Sequence, residues 1–313
     1  MRRRPLLLTA IAGFLLANTV TAISGNYALT LAARFVAGVS AGLLWALAAG
    51  YAARMAPEHL KGRAIAIAMA GTPLALSLGV PAGTFLGAVI GWRACFFLMS
   101  GLTVLLIFWV LTKVPHFAGE PSGQRRTLGS VLTLPGIRSV LFVVLAFVLA
   151  HNILYTYVAP FLAEAGMADR TDAVLLVFGV ASLVSIWVVG VQIDRRLRHL
   201  TLASTALFAL SAAAFWIWSD VPVVIYAATA VWGLAFGGCA TLFQTASAKA
   251  AGPAADLAQS MLVTAWNAAI AGGGLMGGVL LDRFGVGAFA PSLLILLVLS
   301  FIVTLRACRN GFA

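Results

Sequence analysis

Arg34-Phe35-Val36-Ala37-Gly38-Val39-Ser40-Ala41-Gly42 returns in relaxed form as Thr229-Ala230-Val231-Trp232-Gly233-Leu234-Ala235-Phe236-Gly237, 195 residues further on. The same offset carries Gly79 and Gly83 onto Gly274 and Gly278, and Arg3 onto Arg198. Residues 3–110 are thus a first copy of residues 198–305. Between the copies lie two apolar stretches, 139–163 and 173–193, which have no counterpart in the first copy.

Composition says where such a repeat folds. The chain is 62% hydrophobic and 9% charged, with a mean hydropathy of +1.04. No soluble domain needs that much apolar surface, so this is an integral membrane protein. Charge-free runs cover residues 5–33, 35–53, 64–92, 94–112, 139–163, 173–193, 200–219, 221–248, 257–281 and 284–305. About 20 helical residues cross a hydrocarbon core, so ten transmembrane helices are expected, the first two meeting at an outward turn near residues 24–26. The runs are continuously apolar rather than alternating, which excludes a β-barrel. Main-chain groups in lipid must bond within their own segment, which requires helices. The expected class is an all-α membrane bundle.

The net charge of +11 follows the loops. Arg2, Arg3 and Arg4; Arg54, Lys61 and Arg63; Lys113, Arg125, Arg126 and Arg138; Arg195, Arg196 and Arg198; and Arg306 and Arg309 fall in alternate connections. Connections between them hold Glu164, Asp169, Asp172 and Asp220. This is the positive-inside pattern with both termini cytoplasmic, in a bacterial inner membrane, and not a nucleic-acid patch. The basic start followed by an apolar run resembles a signal peptide, but its length and uninterrupted character make it a retained span. Cys95, Cys239 and Cys308 lack CxxC spacing, so neither a disulfide framework nor a metal site is expected.

The expected organisation is an N-terminal half of four spans (1–113), a cytoplasmic linker (114–136) rich in Pro and Gly, and a C-terminal half of six spans (137–313). Spans one to four pair with spans seven to ten in the same direction, so the repeat is parallel. The implied parent has twelve spans, and the partners of spans five and six are expected before residue 1. Transporters are built from such repeats, with solute sites near mid-membrane at the repeat interface.

Three stretches resemble the major facilitator superfamily, in its bacterial drug:proton antiporter branch of sugar, nucleoside and chloramphenicol exporters. Arg34-Phe35-Val36-Ala37-Gly38 is similar to the family's RFxxG motif. Gly79-Val80-Pro81-Ala82-Gly83-Thr84-Phe85-Leu86-Gly87, with Gly91-Trp92-Arg93 and Phe96, resembles its antiporter motif. Gly190-Val191-Gln192-Ile193-Asp194-Arg195-Arg196-Leu197-Arg198 resembles the second-half copy of its G-x-x-x-D-R-x-x-R cytoplasmic loop. The first-half copy of that loop survives as Arg2-Arg3-Arg4. The resemblance implies a proton-coupled exporter of a small solute working by alternating access, without a cofactor. It also implies a cytoplasmic gate at Arg3, Gly190, Asp194, Arg195 and Arg198, and a proton-carrying acid in helices this chain does not contain.

The residues themselves support two readings each. Gly79, Gly83 and Gly87 at four-residue spacing suit close helix packing, or, with Pro81, a bend. Arg34 is the one charge inside a span, about eight residues from the outward turn and roughly 12 Å deep at helical rise. Such a charge marks a functional site unless it snorkels to water, and every carboxylate lies in a predicted loop. His151, Asn152 and Tyr155 share a helix face that suits a cavity wall and a proton relay, or only interhelical bonds. Gln244, Trp266 and Asn267 complete the expected solute and proton pathway. Two other readings stay open: a truncated, transport-inactive membrane protein, and an intramembrane serine enzyme. The second rests on Gly38-Val39-Ser40-Ala41-Gly42, which matches G-x-S-x-G but lies mid-helix instead of on a strand–turn–helix elbow. The expected partners are a small solute, protons and the bilayer, with the protein acting as a monomer.

Overall fold

The computed structural model describes residues 3–57, 67–68, 71, 75, 79–115, 127–307 and 310–312. The described elements are α1 (Arg3–Ile23), α2 (Tyr27–Met55), α3 (Val80–Ile90), α4 (Trp92–Lys113), α5 (Leu128–Leu132), α6 (Ile137–Thr156), α7 (Val158–Glu164), α8 (Thr171–Ile217), α9 (Pro222–Gly237), α10 (Cys239–Ala251), α11 (Ala255–Phe284) and α12 (Phe289–Arg306). Short 3-10 turns join some of them, and no strand occurs among the described residues. Nine spans among these residues are long and apolar enough to cross a membrane. The third predicted run, 64–92, is described in part, with α3 at its end, and the middle of 114–136 lies outside the described residues. Residues group by contact into unit 1 (Met1–Arg125) and unit 2 (Arg126–Ala313).

Two predicted runs depart from straight helices, and one predicted connection is tighter than expected. The run 139–163 breaks at Tyr157 (φ −112, ψ 26) between α6 and α7. Pro160 explains it: a proline withholds its N–H from the carbonyl four residues back and its ring clashes there. The run 221–248 breaks at Gly238, between α9 and α10. The connection expected at 194–198 is very short: the sixth and seventh spans, grouped as α8, are two helices that meet at a kink on the non-helical Arg196 (φ −135, ψ 27).

Unit 1 is built on α1, which packs against α2 and α4, while α3 packs on α4. The turn between α1 and α2 is fixed by Asn26, whose side chain accepts a hydrogen bond from the Leu29 N–H at 3.1 Å and so caps α2. Arg93 braces the same end, donating to the Ser24 carbonyl at 3.1 Å while lying over the Trp92 ring. Unit 2 is built around α6. Of the α6 span 67% is buried, against 17% for the α2 and α4 spans, so α6 is an enclosed axis. Phe147 at its centre contacts Phe208, Phe236 and Phe243 with ring centroids 5.4–6.2 Å apart. Large apolar side chains such as Phe35, Phe108, Trp187 and Leu275 point outward, as suits a chain whose solvent is hydrocarbon.

Close glycine approaches cluster in unit 2, while unit 1 shows one among the described residues, Gly13 against Ser40. In unit 2 a Cβ on Gly233 would lie 2.8 Å from the Ala181 Cβ, and one on Gly237 would lie 2.6 Å from the Ser182 Cα. One on Gly238 would meet the Val189 side chain at 2.7 Å, and one on Gly277 the Tyr157 ring at 2.6 Å. Real Cβ atoms do not approach so closely, so hydrogen alone fits, and α9 and α11 close onto the stretches 139–163 and 173–193. Tyr157 completes this contact by donating its hydroxyl to the Gly274 carbonyl at 2.7 Å. In unit 1, Gly38, Gly83 and Gly87 would carry a Cβ with no described atom within 4 Å, and Gly79 meets only Ala75, at 3.9 Å. Close packing at Gly79, Gly83 and Gly87 is therefore not found among the described residues. In unit 2 the partners Ala181, Ser182, Val189 and Tyr157 come from the stretches 139–163 and 173–193. The side chain of Pro81, the proposed source of a bend, lies outside the described residues.

Gly237→Ala should therefore destabilise the chain by about 1–3 kcal/mol through overpacking. Gly83→Ala should leave stability unchanged or raise it by up to about 1 kcal/mol through helix propensity. Thermal unfolding in detergent compares the two; equal losses would contradict the asymmetry.

Candidate functional site

In unit 1 the polar centre is Arg34. The α1–α2 hairpin brings it opposite Asn18, and the Arg34 Nη2 donates to Asn18 Oδ1 at 2.9 Å. Its guanidinium carbon also lies 4.9 Å from the centroid of the Phe96 ring on α4, an arrangement in which the ring face attracts the cation. No described carboxylate pairs with it. With every carboxylate in a predicted loop, the sequence offered Arg34 no ionic partner; its partners are instead a neutral amide and an aromatic face. Asn18 is fully buried, and its Nδ2 has no hydrogen-bond partner among the described residues. Thr19, next to it, bonds Ser100 on α4 at 3.1 Å and helps hold the three helices together.

Unit 2 gathers three of the predicted pathway residues into one aromatic cluster. His151 is buried and stacks on Phe236 with centroids 3.5 Å apart and planes at 11°. Tyr155, Trp232 and Phe178 surround it at 5.1, 5.3 and 5.7 Å. Trp266 joins from α11 through Phe236 and Phe243, each at 6.4 Å. Two buried polar atoms in this cluster, His151 Nδ1 and Trp232 Nε1, have no partner among the described residues. A tryptophan N–H can only donate, and each buried orphan costs about 1–3 kcal/mol.

The other predicted pathway residues lie apart from the cluster. Asn152 turns back to the Val148 carbonyl at 2.9 Å, and its main chain meets Gly273. Asn267 is exposed and bonds the Val263 carbonyl at 2.9 Å. The main-chain carbonyl of Gln244 accepts from Gln259 Nε2 at 2.8 Å, linking α10 to α11.

At the gate motif, Arg198 Nη2 donates to the Leu305 carbonyl in the last turn of α12 at 3.1 Å. In unit 1 the same bond is made by Arg4, to the Leu111 carbonyl in the last turn of α4. Both pairs are 107 residues apart, so the two units carry the same guanidinium staple on the end of their last helix. A cation there also meets the negative end of the helix dipole. The structural counterpart of Arg198 is thus Arg4 and not Arg3, and the repeat slips to an offset of 194 at this end. Arg195 is exposed, Arg196 reaches Gln192 at 3.4 Å, and Gly190 is exposed on α8. The Asp194 side chain lies outside the described residues.

Ser40 is buried, and a Cβ on Gly13 of α1 would lie 2.6 Å from its Oγ. It fills a helix–helix contact. No group of three or more His, Cys, Asp or Glu able to hold a metal occurs among the described residues.

Sequence reasoning missed Asn18, Phe178 and Phe236. Asn18 had one available signal, since it and Arg34 are nearly equidistant from the turn at 24–26.

Residues 1–256 match the sequence profile of the Major Facilitator Superfamily. The purine ribonucleoside efflux pump NepI of Salmonella typhimurium (strain LT2) is 29% identical over 269 residues, covering 85% of this chain and 68% of that protein. A probable sugar efflux transporter of Mannheimia succiniciproducens is 26% identical over 292 residues, covering 91% of this chain and 72% of that protein. Among solved structures, the human organic anion transporter MFSD10 (TETRAN) superposes with a TM-score of 0.76 at 16% identity, over 97% of this chain and 77% of that one. The transporter FucP in its outward conformation gives 0.70 at 14% identity, over 97% and 83%. These structures speak to the fold.

Asn18→Ala should destabilise the chain by about 1–3 kcal/mol, because it strips a half-buried cation of its hydrogen-bond acceptor. In an Arg34→Ala background the loss should be clearly smaller. A double-mutant cycle of thermal unfolding reads this coupling; additive losses would mean that the Arg34–Asn18 bond carries no energy.

Proposed function

The chain belongs to the Major Facilitator Superfamily, and from that premise we propose that it is a proton-coupled exporter of a small solute, of drug, sugar or nucleoside type, working by alternating access. The observation that carries the proposal is Arg34. A charge inside a span costs roughly 2.5–3.5 kcal/mol on insertion scales; here it is held by a neutral amide and a ring, with no described carboxylate to neutralise it. Such a cation keeps its field available to a solute or to a proton-carrying group. The efflux pumps among its relatives support export as the direction.

In this reading the aromatic cluster offers stacking faces for a planar or ring-shaped solute. His151 Nδ1 and Trp232 Nε1 offer the polar contacts, in the usual ligand design of an apolar wall with few polar groups. His151 relays a proton. Tyr155 and Trp266 line the path, with Asn152, Gln244 and Asn267 nearby in sequence. Asp194, Arg195 and Arg198, with the Arg3–Arg4 tail, form the cytoplasmic gate, and Gly79, Pro81, Gly83 and Gly87 shape the helix beside the path. The protein works as a monomer in a bacterial inner membrane with both termini cytoplasmic.

Expression in an efflux-deficient bacterial host should lower the accumulation of at least one labelled solute from a panel of nucleosides, sugars and amphenicols. An uncoupler should abolish the effect. Arg34→Ala should slow export about tenfold or more, the factor that roughly 1.4 kcal/mol supplies. Equal accumulation in expressing and empty cells across the panel would refute the proposal, and an unchanged Arg34→Ala rate would remove Arg34 from the mechanism.

A further inference from the structure

The end of unit 2 remote from the Arg198 staple carries a cavity of about 170 Å³, formed where α7, α8 and the start of α12 finish together. Its floor is aromatic: Phe161 and Phe215, both buried, meet edge-to-face with centroids 5.2 Å apart. Trp216 forms a wall, and Ser219, Glu164 and Asp220 stand at the rim. Drug-sized ligands occupy pockets of roughly 300–1,000 Å³, so this cavity takes one small group.

The charge around the cavity has one predominant sign. Glu164 and Asp220 line it from two different elements, and neither forms an ion pair among the described residues. Along the same end of the unit Asp169, Asp172 and Asp282 stand against Arg170 and Arg283. Asp172 is engaged with the first turn of its own helix, accepting from the Ala173 N–H at 2.9 Å. An apolar cavity with a carboxylate-rich rim concentrates cations. A hard metal ion prefers a shell of six or more oxygens, and two carboxylates and one hydroxyl among aromatic rings do not supply it. An organic ammonium ion suits the site on both counts. Its N–H groups would make charge-assisted bonds to Glu164 and Asp220, and its carbon-bound side would rest against Phe161, Phe215 and Trp216.

We propose that this cavity is a binding site for a small primary ammonium group, separate from the His151 cluster and independent of what the protein exports. Two sources share that chemistry: a free amine, and the headgroup of an ethanolamine lipid at the membrane surface.

The test titrates the full chain in detergent with ethylammonium chloride, against sodium chloride at equal ionic strength, and follows tryptophan emission. A saturable change specific to ethylammonium is expected. It should vanish in Trp216→Phe and weaken at least tenfold in Glu164→Gln and in Asp220→Asn. Both carboxylates are exposed, so these variants fold. In phosphatidylglycerol bilayers the response should persist. Its loss in phosphatidylethanolamine bilayers would identify the lipid headgroup as the occupant, and its survival there would identify a free amine. A response that sodium chloride reproduces, or that the Glu164 and Asp220 variants leave unchanged, overturns the proposal.

Discussion

Helices in lipid gain nothing from hiding apolar surface, because the surrounding tails are as apolar as leucine. Their association rests on close contact, and in unit 2 that contact is hydrogen in place of Cβ at Gly233, Gly237, Gly238 and Gly277. Each brings α9, α10 or α11 onto the main chain or side chains of the stretches 139–163 and 173–193, and Tyr157 locks one such contact to the Gly274 carbonyl. The enclosure of α6 follows from these approaches, and with it the burial of His151 and Trp232. The aromatic cluster is thus a consequence of glycine packing elsewhere in the unit.

Unit 1 shares the helix trio and the guanidinium staple but differs at its polar centre. Where unit 1 has Arg34, the repeat places the buried Thr229. A hydroxyl can satisfy itself within a helix; a guanidinium in a span cannot, and it takes the Asn18 amide and the Phe96 face. The units therefore divide the chemistry. One supplies a fixed positive charge, and the other supplies aromatic surface with two unfilled hydrogen-bonding atoms. The proposed proton-coupled export would draw on both kinds of group, each within its own unit.

Much of this was legible in the chain. Uninterrupted apolar runs admit only helices in a membrane, and the recurrence of Gly38, Gly42, Gly79 and Gly83 identified a repeat without any coordinates. What lay hidden depends on what stands opposite a residue. Aligned glycines look equivalent in sequence, yet Gly233 abuts Ala181 while Gly38 meets no described atom. Arg34 looked unpartnered because a search for carboxylates overlooks an amide sixteen residues away. Asn152 and Asn267 looked like cavity polar groups, but each spends its side-chain N–H on its own helix four residues back. The staple shows that a repeat offset can slip by one residue at a helix end, so that Arg4, not Arg3, does the work of Arg198.

The account's central claim is that solute and proton movements are coupled in this chain, and proteoliposomes read that coupling directly. Purified protein is reconstituted with an internal pH-sensitive dye, a pH gradient is imposed, and candidate solutes are added. The account predicts that a transported solute speeds dissipation of the gradient, and that Arg34→Ala removes this acceleration without increasing passive leak. Solute movement that leaves the gradient decaying at the rate of empty liposomes would contradict it.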